Sequence, residues 1–334
     1  MPNIGQRTLW GLSSLRTLNL TSNNISHIVD HNFDGLGSLS RLVLDHNAIK
    51  SITSAAFHHL PLLEELSLAN NKLTELAPRI FYKLDNLKKL DLSGNRVLIL
   101  DEKVFMDIRN IQEFRCDHCG LGVFKVGFSL RFLRSLSLAG NRIRRLEEVE
   151  EHLLRALTSL HLGSNLLQHL PVMDCPRLQH LRLGSNPLST ATPCALCSLP
   201  SLASLGLEGT RLGRALGPTL PLALPSLSSL SLDSSLVAPD HLGAVLARLP
   251  GLTSLSLAST GLVAFPPGLL VGNTGLTHLN ISSNHLVSVD PLVLSSLPLL
   301  QHLDLSHNLF MSLEKHFFEA VTASPTLVLV YLQV

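Results

Sequence analysis

The chain is poor in the residues that usually announce a chemistry. Aromatics make up only 4% of it, with a single tryptophan, which leaves a tight hydrophobic hot spot on an outward face without its usual Trp and Tyr anchors. Five cysteines are too few and too unevenly counted for a disulfide scaffold. Charged residues reach only 15% and nearly cancel, at +1 net, which excludes a nucleic acid recognised by bulk charge. The longest suspicious apolar run, TLVLVYLQV at the C-terminus, is far too short to span a membrane. The first residues, MPNIGQRTLWGLSS, lack the basic-then-apolar order of a signal peptide. Hydrolase elbow, P-loop, dinucleotide fingerprint and HExxH are absent too, so the reading is of a non-enzyme without cofactor.

What is present is leucine in a fixed rhythm. The pattern LxxLxLxxN begins at Leu15, Leu39, Leu63, Leu87, Ile111, Leu133, Leu157, Leu178, Leu202, Leu227, Leu252, Leu276 and Leu300. Most steps are 24 residues, and the extremes are 21 and 25. A period of this length marks a repeat architecture. In LRTLNLTSNNI, Leu18 and Leu20 alternate with Asn19 and Thr21, the period of a strand with one buried face. No single unit can bury its own leucines, so stacked neighbours must close the core between them.

On these residues the chain resembles the leucine-rich repeat family. Phe33, Phe57, Phe81, Phe105 and Phe318 share one column, as in the typical 24-residue subclass found in Toll-like receptors, Slit and chaoptin-like adhesion proteins. The resemblance implies an α/β repeat solenoid: a horseshoe with a parallel β-sheet on the concave face and irregular or helical convex segments. We expect one domain over 1–334, with about thirteen full repeats from Leu15, partial repeats at both ends and no terminal caps. The chain then reads as a segment of something longer, or as a truncated product. Asn23, Asn47, Asn71, Asn95, Asn141, Asn165, Asn186, Asn284 and Asn308 should form a buried ladder. Thr210, Ser235 and Thr260 replace Asn with side chains that offer fewer bonds, predicting a softer stretch beside GRALGPTLPLALPSLSSL. A fourteenth strand is expected around Leu327 and Leu329.

The cysteines follow from the columns. Cys116 stands in a strand leucine column and Cys119 in the Asn column, so Cys-x-x-Cys reads as two small core residues, with no metal site. Cys175, Cys194 and Cys197 fall on the convex side of adjacent units. Either Cys175 bridges to Cys194 or Cys197, or the three remain reduced in apolar contacts.

The pleat fixes which residues face outward. Asp91, Glu113, Arg115, His161, His180 and Arg182 are the best-equipped stretch for a protein ligand or co-receptor. Arg41, Glu65 and Lys89 form a secondary patch, which with Glu113 alternates in sign and can also pair with itself. The zone from Ser204 to Ser256 reads as small and bland. Asn19, Asn24 and Asn280 begin glycosylation sequons, partly a by-product of the strand pattern. Together with the resemblance they imply a segment of an extracellular or cell-surface receptor or adhesion protein. The alternative is a cytoplasmic scaffold or regulatory subunit.

Overall fold

The computed structural model describes residues 4–100, 102–124, 130–146, 155–170, 172–191, 195–212, 224–235, 239–266, 268–310 and 326–332. Two compact units divide the chain, Met1–Leu166 and Leu167–Val334. The first carries parallel strands Thr17–Asn19, Arg41–Val43, Glu65–Ser67, Lys89–Asp91, Glu113–Arg115, Ser135–Ser137 and Ser159–His161. The second carries His180–Arg182, Ser204–Gly206, Ser229–Ser231, Ser254–Ser256, His278–Asn280, His302–Asp304 and Leu329–Tyr331. The strands follow one another in chain order within each unit, and all pair in parallel. Each is one turn of a parallel-strand solenoid.

Register follows the leucine columns. Leu18 stands beside Leu42, Leu42 beside Leu66, and Leu205 beside Leu230. Leu42, Leu66, Leu90, Phe114 and Leu136 are buried, while the residues on either side of each are not. Two short sheets tie returning segments together, His27–Ile28 with Ser51–Ile52 and His169–Leu170 with Thr190–Ala191. Helices occur in other returning segments, at Glu102–Phe105, Pro239–Leu246 and Pro291–Ser295. Phe33, Phe57, Phe81 and Phe105 are fully buried, and the first two stack with centroids 6.0 Å apart. Phe318 lies outside the described residues.

The asparagine ladder works by serving the preceding turn. Asn47 Oδ1 accepts from the amides of Asn23 and Ile25, at 3.0 and 2.9 Å. Its Nδ2 donates back to the Leu20 carbonyl and to its own Leu44 carbonyl. Asn71, Asn95, Asn141, Asn165, Asn284 and Asn308 accept from a backbone amide of the preceding turn in the same way. The substitutes do less: Ser235 Oγ accepts from the Thr210 amide and donates to Leu207, and the Thr260 hydroxyl donates to Leu257. Most of GRALGPTLPLALPSLSSL, from 213 to 223, lies outside the described residues.

A left-handed backbone residue immediately precedes this column in each of the first thirteen turns: Ser22, His46, Asn70, Gly94, His118, Gly140, Ser164, Ser185, Gly209, Ser234, Ser259, Ser283 and His307. Only three of them are glycine, although a side chain in that conformation costs roughly 1–2 kcal/mol. The bonds made by the next residue hold the turn in that shape.

Two expectations need correction. In the last strand, Val330 stands beside Leu303, and Leu329 pairs with His302 in the outward column. A shift of one residue exchanges the faces, so Leu329 is 38% exposed instead of buried. The cysteines also differ. Cys116 and Cys119 are buried as expected but are joined as a disulfide, because both columns point into the same core and their Cα atoms lie 5.7 Å apart. Cys175 is a free, buried thiol and Cys197 is disulfide-bonded, so neither bridge expected for Cys175 forms. Cys194 lies outside the described residues.

Candidate functional site

The outward side chains of the first unit form two columns one strand-step apart. In the first, Arg41 Nε lies 3.3 Å from Glu65 Oε2. Lys89 Nζ then sits between Glu65 and Glu113, at 3.5 and 3.4 Å. The four residues are a charge ladder across consecutive strands. The Lys89 ammonium is held above the usual lysine range, chiefly by Glu113 and then by Glu65. These side chains are about half exposed, so each pair contributes at most about 1 kcal/mol.

The second column carries Val43, Ser67, Asp91, Arg115, Ser137 and His161. Asp91 Oδ1 accepts from the Ser93 amide at 2.8 Å. Arg115 stands beside Asp91 in the register, is exposed, and joins no salt bridge among the described residues. His161 is half-buried, its Nδ1 3.3 Å from Ser137 Oγ. Asp45 and Asp117 close the far edge, each gripping the next strand through a serine hydroxyl and a backbone amide. Together the two columns surround a hollow of about 320 Å³ lined by Arg41, Asp45, Glu65, Lys89, Asp91, Glu113 and Arg115 among others.

Asp91, Glu113, Arg115 and His161 therefore belong to the first unit. His180 and Arg182 lie on the first strand of the second, and both are exposed. The small-residue zone is less bland than its strand letters suggest. The Glu208 carboxylate is laid over Gly206, where a β-carbon would come within 2.8 Å of Oε1. His278 and His302, outward on neighbouring strands, stack with ring centroids 4.3 Å apart. Asn19 and Asn24 are exposed, and Asn280 is partly buried.

The hollow also contains Ser67, whose hydroxyl donates to the Asp45 carboxylate. It offers fixed ionic and hydrogen-bonding groups on a rigid sheet, which suits recognition of another polar surface. Away from this face, His31, Asp34 and His59 are the one group among the described residues whose metal-ligating atoms all lie within 4.8 Å of one another. The sequence reading missed it. Subtracting one 24-residue period from His59 gives 35, beside Asp34, and that arithmetic was the available signal.

The family described as leucine rich repeat matches residues 3–49, 13–73, 61–121, 155–212 and 250–310. No curated protein sequence matches the chain. Among solved structures, TLR13 in its complex with ssRNA13 is similar over 100% of this chain and 52% of its own, at a TM-score of 0.78 and 26% identity. The chain thus spans about half the length of that relative. A leucine-rich repeat protein of Leptospira interrogans is similar over 98% of this chain and 87% of its own, with TM-score 0.70 and 24% identity. Toll, from the Drosophila Toll–Spatzle complex, matches 93% of this chain and 46% of its own, with TM-score 0.66 and 22% identity. The last two likenesses speak for the fold alone.

Proposed function

Because the chain belongs to the leucine-rich repeat family, we propose that it is a protein-binding recognition module, part of an extracellular receptor or adhesion-protein ectodomain. Both units are built from the same repeat, which supports reading 1–334 as one binding domain. The partner docks on the outward face of the sheet, concave in this family. The observation that carries this reading is the hollow of the first unit, where ion pairs immobilise the charges of one column beside Asp91 and Arg115. The ladder residues Arg41, Glu65, Lys89 and Glu113 neutralise one another and supply shape. Arg115 supplies orientation, because its guanidinium has no salt-bridge partner to give up among the described residues. His180 and Arg182 are the matching exposed groups of the second unit.

TLR13 is seen with ssRNA13 and Toll with Spatzle. A protein is the partner proposed here, since the chain carries only +1 net charge and its outward face alternates acid with base. Surface or extracellular placement is supported by the exposed sequon residues Asn19 and Asn24 and by the family resemblance. No described helix is long and apolar enough to cross a membrane.

The test is proximity labelling on cells displaying the chain, repeated with Arg115→Glu, Arg182→Glu and Arg248→Glu. Proteins captured by the wild type should be lost with the first two substitutions and kept with the third. Loss only with Arg248→Glu would place the binding face on the returning segments. Glycan occupancy at Asn24, read by mass spectrometry, tests the location separately.

A further inference from the structure

His31, Asp34 and His59 meet on the returning segments of the first two full repeats, away from the outward sheet face. Asp34 is 5% exposed. Its Oδ2 lies 2.9 Å from His31 Nδ1 and 3.5 Å from Arg7 Nε. Its Oδ1 is buried, has no hydrogen-bond partner, and lies 3.6 Å from His59 Nε2. A buried carboxylate oxygen without a hydrogen-bond partner is costly, and the His59 contact at 3.6 Å is too long to be one. We propose that these three side chains form a site for one divalent transition-metal ion, zinc being the best fit to two imidazoles and a carboxylate.

The distances agree with that assignment. Donor atoms bonded to tetrahedral zinc at about 2.0–2.1 Å stand about 3.3 Å from one another. The two gaps to Asp34, 2.9 Å from His31 to Oδ2 and 3.6 Å from His59 to Oδ1, fall on either side of that value, and one donor atom from each residue can be taken with no pair beyond 4.8 Å. The support is built in. His31 sits in a left-handed turn (φ 67°), its carbonyl taking the Arg7 amide at 3.0 Å. The next residue, fully buried Asn32, ties this turn to the Val29 amide and the Ile4 carbonyl. The two imidazoles are about half exposed, which opens a route for the ion and leaves its remaining positions to water.

Arg7 is the competing cation. Its side chain is 65% exposed, and its guanidinium already lies 5.6 Å from the Trp10 ring, so it can leave Asp34 at little cost. Metal binding should therefore displace Arg7, and removing Arg7 should strengthen binding.

Zinc titration of the full chain by calorimetry, with cobalt(II) absorption as the spectroscopic readout, decides the matter. The wild type should bind one equivalent, give tetrahedral cobalt bands and gain thermal stability with zinc. His31→Gln and His59→Gln should each weaken binding by at least about tenfold, the lower bound for losing even a supporting group. Arg7→Asn, which tolerates the same backbone conformation, should tighten it. His59 is exposed enough that its substitution should leave the fold intact, and an unchanged circular dichroism spectrum checks this. Absence of a stoichiometric equivalent in the wild type, or binding that survives both histidine substitutions, overturns the proposal and leaves the cluster as an ion pair.

Discussion

Replacing Asn71 with alanine removes one rung of the ladder at a place where every bond is known. Asn71 Oδ1 accepts from the amide of Ile49, a fully buried residue, at 3.0 Å. Its Nδ2 donates to the Leu44 and Leu68 carbonyls, both at 3.0 Å. Those carbonyls keep a second donor after the substitution, from Asn47 and Asn95 respectively. The Ile49 amide keeps none of comparable geometry, so its desolvation is uncompensated. An orphaned buried donor costs about 1–3 kcal/mol, and the two weakened carbonyls add roughly 1 more, for a total of about 2–4 kcal/mol. Long repeat arrays can depart from two-state unfolding, so the direct assay is hydrogen exchange at the Ile49 amide. Its protection should fall about 30-fold to nearly 1,000-fold, at tenfold per 1.4 kcal/mol. Asn71→Thr should fall between alanine and wild type, because Thr260 in the same column retains a bond to a carbonyl. Protection unchanged within about twofold, the equivalent of less than 0.5 kcal/mol, would mean that the ladder is decoration and that the leucine core alone sets the turn.

Other outcomes can be stated more briefly. Lys89→Met should cost less than about 1 kcal/mol, and the cost should vanish in molar salt, because the ladder is solvent-exposed; a larger, salt-insensitive loss in urea unfolding would contradict the exposed-ladder reading. The double variant Cys116→Leu, Cys119→Asn should match or exceed the wild-type melting temperature, since its bridge closes only a three-residue separation and the new amide can accept from the Val97 amide. A clear fall in melting temperature would count against that geometry. Burial, and secondarily Asp174, pushes the Cys175 thiol up to about 12. The folded state thus keeps this proton after the unfolded chain has lost its own, so stability should decline as pH rises from about 9 towards 12. Cys175→Ala should remove that part of the decline, and an identical pH profile for the two proteins would refute the assignment.

Much of this molecule was legible because its repeat turns a three-dimensional question into arithmetic modulo 24. The strand positions, the buried phenylalanines 33 to 105 and the Asn bonds all follow from columns, and so does the pairing of Arg41, Glu65, Lys89 and Glu113. Reasoning failed where the columns carried no contrast. TLVLVYLQV is apolar at nearly every position, so nothing in it favoured Leu329 over Val330 for the inward place. At Cys116 and Cys119 the columns gave the burial correctly, but burial alone does not separate two thiols from a disulfide. Cys175 shows the converse: a similar offset in adjacent turns did not make a bond. His31, Asp34 and His59 occupy three different columns, and only the offset of one turn against the next brings them together.

The ladder also has a consequence for how such a chain can change length over evolutionary time. Each asparagine answers donors of the turn before it, so a duplicated segment of one period arrives with joints that fit both of its neighbours. Within a period, the stretch from the first strand leucine to the asparagine tolerates no insertion, because one extra residue there turns the inward face out. The returning segment is free of that constraint. Strands Glu113–Arg115 and Ser135–Ser137 pair in register across a 22-residue step, and Ser204–Gly206 pairs with Ser229–Ser231 across 25. Gains and losses of sequence should accumulate in the returning segments, where His31, Asp34 and His59 lie, while the sheet is inherited in whole units.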